Sequence, residues 1–543
     1  MRSLLASRVT DENAKWFTLI AACFALFMAI LDNLVVNVAL PTISRDLDAS
    51  TTQLQWIVSS YILVFAALQI TAGGLGDRLG RKRWFMAGIV LFTATSVFAA
   101  FSQNVEMLIG ARALQGLGAA FILPLSLSII SDVFPPEERG KALGIWSAVS
   151  VSGLAFGPVI GGLLVQYASW QWIFLVNVPI GIGAVIVTSA VVRESKDTTG
   201  QVATDIPGTL TITGAIGALT FGLIEAGGRG WNDSLILGSF TVAAVLLVAF
   251  VFIEARAEKP MVPLSFFKSS TFTGANLDAF AISFLIAGIA FFGTLYLQNV
   301  HGFSPVRAGM ALLPMVAVMM IGSPISGTLV NRLGSAKLIS AGMLVTGLGV
   351  LLFTRADVDG SYLDLVPSYM VMGLGMSFIF APMTTAVLNS VDSSRSGVAS
   401  AVNGAIREVG NAFGIAFLGT MMNRAYQNEF NGNSQVQALR SDPNLGPLGV
   451  TIDKVGAGMN FGGRVVQDAN LFPDVPAPVV GALSTASSEA FMAGMDLAIF
   501  ISAGVIFATA ILSYFLIKDS VAVEPAYAPD TATREEFEGV AAD

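Results

Sequence analysis

The chain has 543 residues, 54% hydrophobic and only 12% charged, with a formal net charge of −8. A soluble domain carries roughly 25% charged residues, so this composition excludes a soluble protein and leaves a polytopic helical membrane protein. One cysteine, Cys23, and one histidine, His301, exclude an internal disulfide framework and speak against a Cys- or His-based metal centre; no nucleic-acid-binding pattern is present.

A membrane span needs about 20 apolar residues. In chain order such runs lie at about 16–40, 54–73, 84–102, 106–131, 141–166, 172–192, 206–225, 235–254, 272–297, 307–330, 336–354, 365–389, 397–421 and 489–517. That predicts fourteen helices. The first run lacks a small-residue cleavage site and reads as a retained span. Cytoplasmic loops collect Lys and Arg. With both termini inside, 19 of the 29 basic residues fall on inside segments, and the short outside loops hold only Arg45, Arg229, Arg307 and Arg355. A missed helix would spoil that alternation. The resulting division is a cytosolic tail over 1–15, six helices over 16–193, two additional helices over 194–263 and six more over 264–518. The last part includes a long outside loop at 424–488, either an ordered cap or a flexible segment. Residues 519–543 read as an acidic disordered tail.

Within the first helix stands Asp32. A charge at the centre of a bilayer helix costs about 2.5–3.5 kcal/mol on insertion scales. Either the side chain faces a central aqueous cavity or it pairs with a polar neighbour. The loop after the second helix, Gly73-Gly-Leu-Gly-Asp-Arg-Leu-Gly-Arg-Lys-Arg83, is a tight basic turn in which Gly73 and Gly80 permit close approach. Arg78, Arg81 and Lys82 anchor the topology. Asp77 does not serve that purpose, but a carboxylate can bind an Arg or the N-terminus of a facing helix and so act as a latch. The loop recurs after the tenth helix as Gly327-Thr-Leu-Val-Asn-Arg-Leu-Gly-Ser-Ala-Lys337, with five of eleven positions identical. This indicates two six-helix halves, a common transporter plan with the substrate site between the repeats. Asn331 replaces Asp77 there, which places the latch in the first half only.

Arg112 lies some six residues into the fourth helix and either snorkels to the interface or acts within the bundle. In the fifth helix Gly153, Gly157 and Gly161 form a stripe on one face, permitting close helix contact, and Pro158 adds a kink. Asp278 lies about six residues into the ninth helix. Arg407 and Glu408 are adjacent in the thirteenth and point about 100° apart. Asp496 and Glu225 are weaker candidates. No phosphate-binding Gly-Lys-Ser/Thr loop is present, so an ion gradient rather than ATP is the expected energy source and no cofactor is expected. A membrane-embedded enzyme would need a catalytic cluster near one face, which one His and one buried Cys do not supply.

Taken together, Gly73, Leu75, Asp77, Arg78, Gly80, Arg81 and Lys82 resemble the signature cytoplasmic loop of the major facilitator superfamily. Arg112, Gln115 and Gly116 resemble its fourth-helix motif, linked there to proton transfer. Gly153 to Gly162 resembles the fifth-helix motif of antiporters. Trp170 to Gly181, and Asp32 with Val36, Asn37, Ala39, Leu40 and Pro41, resemble the fourteen-helix drug:proton antiporters. Leu34 stands where that branch usually has Thr, and Glu408 where Gln is more usual. The resemblance implies an all-α major facilitator fold in a bacterial inner membrane. It implies a monomer that exports amphipathic drugs or organic cations in exchange for protons, with membrane lipids around it. Export of one endogenous amphiphile fits the same motifs, and import fits them less well. Asp32, Arg112, Asp278, Arg407 and Glu408 are the candidates for proton coupling and substrate.

Overall fold

A computed structural model describes residues 11–49, 51–196, 205–258, 260–358, 360–442, 449–457 and 475–518. Among them fourteen rods follow one another. These are α1 (Asp11–Asp46), α2 (Thr51–Leu79), α3 (Arg81–Ala100), α4 (Val105–Val133), α5 (Pro136–Tyr167) and α6 (Asn177–Val191, after a turn at Trp172–Leu175). Next come α7 (Ile206–Arg229), α8 (Ser234–Arg256), α9 (Ser270–Leu295, ending in a π-turn at Tyr296–Val300) and α10 (Leu313–Leu333, after Pro305–Met310). The last are α11 (Ser335–Leu352), α12 (Tyr362–Ser377, continued by Phe380–Asn389), α13 (Ser396–Gly432) and α14 (Ala477–Leu516). Twelve are long and apolar enough to cross a membrane by composition alone. The other two, α5 and α13, have ample length at 32 and 37 residues. In lipid every backbone N–H and C=O must be satisfied internally, which is why the apolar runs are helical throughout.

The helices outrun the apolar windows at their polar ends. The outside segment expected at 424–488 shows this most clearly. α13 continues to Gly432, α14 starts at Ala477, and Ser434–Ser441 and Gly449–Ala457 are short helices between them. Val436, Ile452 and Val455 are buried in the same apolar cluster as Phe430, Leu483 and Phe491, and the Tyr426 hydroxyl donates to the Val455 carbonyl at 2.9 Å. The described part is therefore an ordered cap on two helices that project from the bundle. Residues 443–448 and 458–474, the first ten residues and the expected tail at 519–543 lie outside the described residues.

Three apolar clusters fill α1–α6. One larger cluster runs through α9–α14 and takes in Ile212 and Ile216 of α7. α7 packs against both α2 and α13, whereas α8 packs chiefly on α7; the Thr71 and Thr213 hydroxyls meet at 3.0 Å between α2 and α7. Across the seam between the two groups α5 crosses α10 and α2 crosses α13. α2 meets α13 near the end of the bundle that carries Arg81, Lys82 and Arg83, called the basic end below, and α5 runs along α10 from Gly140 against Gly327 at that end to Gly162 against Val306 at the other.

Candidate functional site: a buried ion pair and a crossed seam

Asp32 lies inside the first six-helix group and is fully buried. It does not line an open cavity, which corrects that expectation. α1 turns Asp32 toward α4 and α6, and their polar side chains close around it. The Arg112 guanidinium donates to Asp32 Oδ2. The Gln115 amide donates to Oδ1 at 3.2 Å and the Asn177 amide to the same oxygen at 2.6 Å. Ser96 Oγ accepts from Gln115 at 2.8 Å. Arg112 is itself fully buried, so it does not snorkel. Its Nε donates to the Ile57 carbonyl at 3.2 Å, Nη1 donates to Gln115 at 2.9 Å, and its face lies 4.5 Å from the Tyr61 ring centroid. A buried charge is tolerable only when paired and hydrogen-bonded, and this cluster meets both conditions.

Gly116 of the fourth-helix motif lets α4 touch α2, because a Cβ there would meet the Tyr61 carbonyl. Gly153, Gly157 and Gly161 seat α5 against Ile30, Leu34 and Val35 of α1, and Pro158 lies within the same helix. Leu34 is thus packed on Gly157, on the side of α1 away from Asp32. Asn177, Ser96 and Tyr61 were not singled out from sequence. An Asn inside an apolar span was the available signal for the first; nothing in spacing pointed to the other two.

At the basic end Asp77 is fully buried. Its Oδ1 accepts from Arg81 Nε at 2.8 Å and from Ser128 at 3.3 Å, and its Oδ2 accepts from the Val398 backbone N–H at 3.0 Å. Val398 lies in the first turn of α13, whose exposed N–H groups favour an anion. Gly73 lies under Gly397 and Ala401, and Gly397 lies against the Asp77 carboxylate, so neither admits a side chain. Ser128 and Ser396 hydroxyls meet at 2.7 Å across the seam. Gly80 has φ +123°, which disfavours a side chain, and its missing Cβ leaves room for Glu194. That carboxylate accepts from the backbone N–H groups of Lys82 and Arg83 at 3.0 and 3.1 Å, capping α3. Lys82 Nζ reaches the Ser189 carbonyl at 3.1 Å, and Arg78 is exposed.

The second copy of the loop makes the matching contact, contrary to a latch in the first half alone. Asn331 Nδ2 donates to the Glu137 carbonyl at 2.5 Å in the first turn of α5, while Gly140 and Gly327 touch backbone to backbone. Asp77 accepts from an N–H where Asn331 donates to a C=O, so the Asp-to-Asn exchange follows the polarity of the group each faces.

The remaining candidates do not join Asp32 in one cluster. Asp278 is fully buried between α9 and α14, where the Ser513 hydroxyl donates to Oδ1 and Oδ2 has no hydrogen-bond partner among the described residues. Arg407 lies 5.3 Å from the Phe380 ring centroid. Glu408 hydrogen-bonds with Asn411. Asp496 is half-buried, and Glu225 pairs with Arg229 at 2.8 Å.

A family model described as Major Facilitator Superfamily matches residues 22–415. The tetracenomycin C resistance and export protein of Streptomyces glaucescens is 32% identical over 522 residues, covering 96% of this chain and 94% of that protein. The multidrug resistance protein Stp of Mycobacterium tuberculosis is 36% identical over 412 residues, 76% of each. The multidrug transporter protein MdtP of Bacillus subtilis is 32% identical over 419 residues, 77% of each. Among solved structures, the human organic anion transporter MFSD10 (TETRAN) superposes with a TM-score of 0.60 at 12% identity, covering 94% of this chain and 100% of that chain. The proton:xylose symporter XylE gives a TM-score of 0.57 at 13% identity, covering 94% of this chain and 97% of that one. At such identities the structural likeness concerns the fold.

Proposed function

The chain belongs to the major facilitator superfamily, and from that premise we propose that it exports amphipathic drugs or toxic organic cations across a bacterial inner membrane in exchange for protons. The observation that carries the reading is the fully buried Asp32–Arg112 pair inside a membrane-spanning bundle. Ionisable groups at that depth are costly and mark ion pathways. A proton taken up by Asp32 cancels the charge that holds Arg112, Gln115 and Asn177 in one arrangement, and the helices bearing them, α1, α4 and α6, are then free to repack. Alternating access follows when that repacking is linked to the crossed seam at the basic end. With the basic end in the cytoplasm and both termini there, as the Lys and Arg distribution favours, the arrangement described is the one closed to the cytoplasm. The exporter works as a monomer and uses no cofactor beyond the proton gradient. Transport rather than catalysis is the activity, in keeping with relatives named for resistance and export.

Proteoliposomes loaded with an amphipathic cation and given an imposed pH gradient test this. Asp32→Asn should abolish proton-coupled efflux while the protein stays folded and inserted; full transport by that variant removes Asp32 from the mechanism. A second reading, export of one endogenous amphiphile, is favoured by the relative that matches almost end to end, which is named for a single antibiotic. A deletion strain that accumulates a metabolite without broad drug susceptibility would select it.

A further inference from the structure

Between α2, α7 and α8 a groove of about 580 Å³ runs along the outside of the bundle, lined by Leu63, Gly217, Phe221, Leu235, Gly238 and Val242 among others. That volume falls within the range of about 300–1,000 Å³ typical of small-ligand sites. Its lining is almost wholly apolar. Leu235 and Val242 are exposed, and a Cβ on Gly238 would meet nothing within 4 Å. α8 is the least enclosed of the candidate spans, with 17% of its apolar window buried. The groove therefore opens toward the membrane, and bilayer hydrocarbon is what covers it.

The chemistry at its mouth is specific. Gly217, Phe221, Glu225 and Arg229 succeed one another at four-residue intervals on one face of α7. Arg229 stands about 12 Å above Phe221 and about 18 Å above Gly217 by helix rise. A hydrocarbon core of about 30 Å gives each leaflet about half that depth, so the groove spans one leaflet with Arg229 at its polar surface. The Arg229 side chain is 51% exposed; among the described residues Glu225 takes its Nε, the Nη donors have no partner, and Asp233 lies near enough to act on its charge. A guanidinium with free Nη donors suits a phosphate. Trp56 packs on Phe221 with ring centroids 6.0 Å apart and closes the α2 side of the groove.

We propose that this groove holds one acyl chain of a bilayer glycerophospholipid, with the lipid phosphate on Arg229. The site belongs to neither the Asp32 cluster nor the seam. It joins α2, which bears Asp77, to the two additional helices, so a bound lipid fills the joint between them.

Native mass spectrometry of the purified full chain, titrated with dioleoyl phosphatidylglycerol, tests the site directly and needs no transport. The wild type should retain one discrete lipid above the annular background. Gly238→Leu fills the groove at an open position and improves helix propensity, and should weaken that binding about tenfold. Arg229→Gln, an exposed change, should weaken it too, and more for phosphatidylglycerol than for a phosphate-free diacylglycerol. Binding that is indistinguishable among the wild type and both variants, or the lack of any discrete wild-type adduct, overturns the proposal.

Discussion

At the scale of the residue, Arg112 is the side chain whose loss should be felt most. Removing one partner of a buried ion pair leaves an uncompensated charge, at about 3–5 kcal/mol. Arg112→Leu should lower thermal stability in detergent by that order, and Asp32→Asn added to it should restore part of the loss, because the orphaned carboxylate is gone. A double variant as unstable as the sum of the singles would show that the two side chains do not support each other. The pairing was not legible in the sequence. The two residues are 80 positions apart, and no spacing rule states which face of α4 meets which face of α1. What could be read was the cost: an Asp and an Arg in apolar runs had to find partners. Asn177 shows the limit of that logic, since one amide in a span does not announce that it aims at a carboxylate in another helix. Leu34 shows that nearness in sequence is not contact. It stands where the resembling branch usually has Thr, two residues from Asp32, yet it fills the groove over Gly157.

At the scale of the element, the crossing of α2 over α13 rests on a carboxylate that accepts three hydrogen bonds. An Asn at position 77 keeps one acceptor, loses the ion pair with Arg81 and turns an amide toward groups that donate. Asp77→Asn should therefore populate a state open at the basic end with substrate affinity largely kept. Spin labels at the exposed positions Arg83 and Lys337, in a Cys23→Ser background, should report a longer distance component by double electron–electron resonance; an unchanged distribution with lost affinity would contradict the latch. The helices themselves were legible in number, because lipid imposes about 20 residues on each span. Their ends were not. Outside the bilayer the backbone can turn to water, and nothing in hydropathy distinguishes a polar loop from a polar helix such as the last turns of α13. The sequence leaves the cap undecided for the same reason, since its burial depends on Val436 and Val455 meeting α13 and α14 rather than on any long apolar run.

At the scale of the whole molecule, the two halves are joined by two crossings that differ in what lies beside them. Hydrogen bonds to a charged group contribute about 1.5–3 kcal/mol each and neutral ones about 0.5–1.5. Each flank has one of the first kind across the seam, from the Val398 N–H to Asp77 beside α2 and from Arg139 to Asn389 beside α5, and the Asn331 contact is of the second kind. α7 also lies against both α2 and α13, and the Trp231 indole of the α7–α8 connection donates to Thr420 of α13 at 2.7 Å. The α2–α13 flank is thus bridged by a third helix, whereas α5 and α10 meet directly. The bundle has a hinged side and a free side, like a book whose spine is α2, α7 and α13. Opening begins at the α5–α10 edge and swings about that spine. Labels at Lys141 and Arg332 should then separate more than labels at Arg78 and Asp392 when the basic end opens, and equal separation of the two pairs would mean that the halves part squarely.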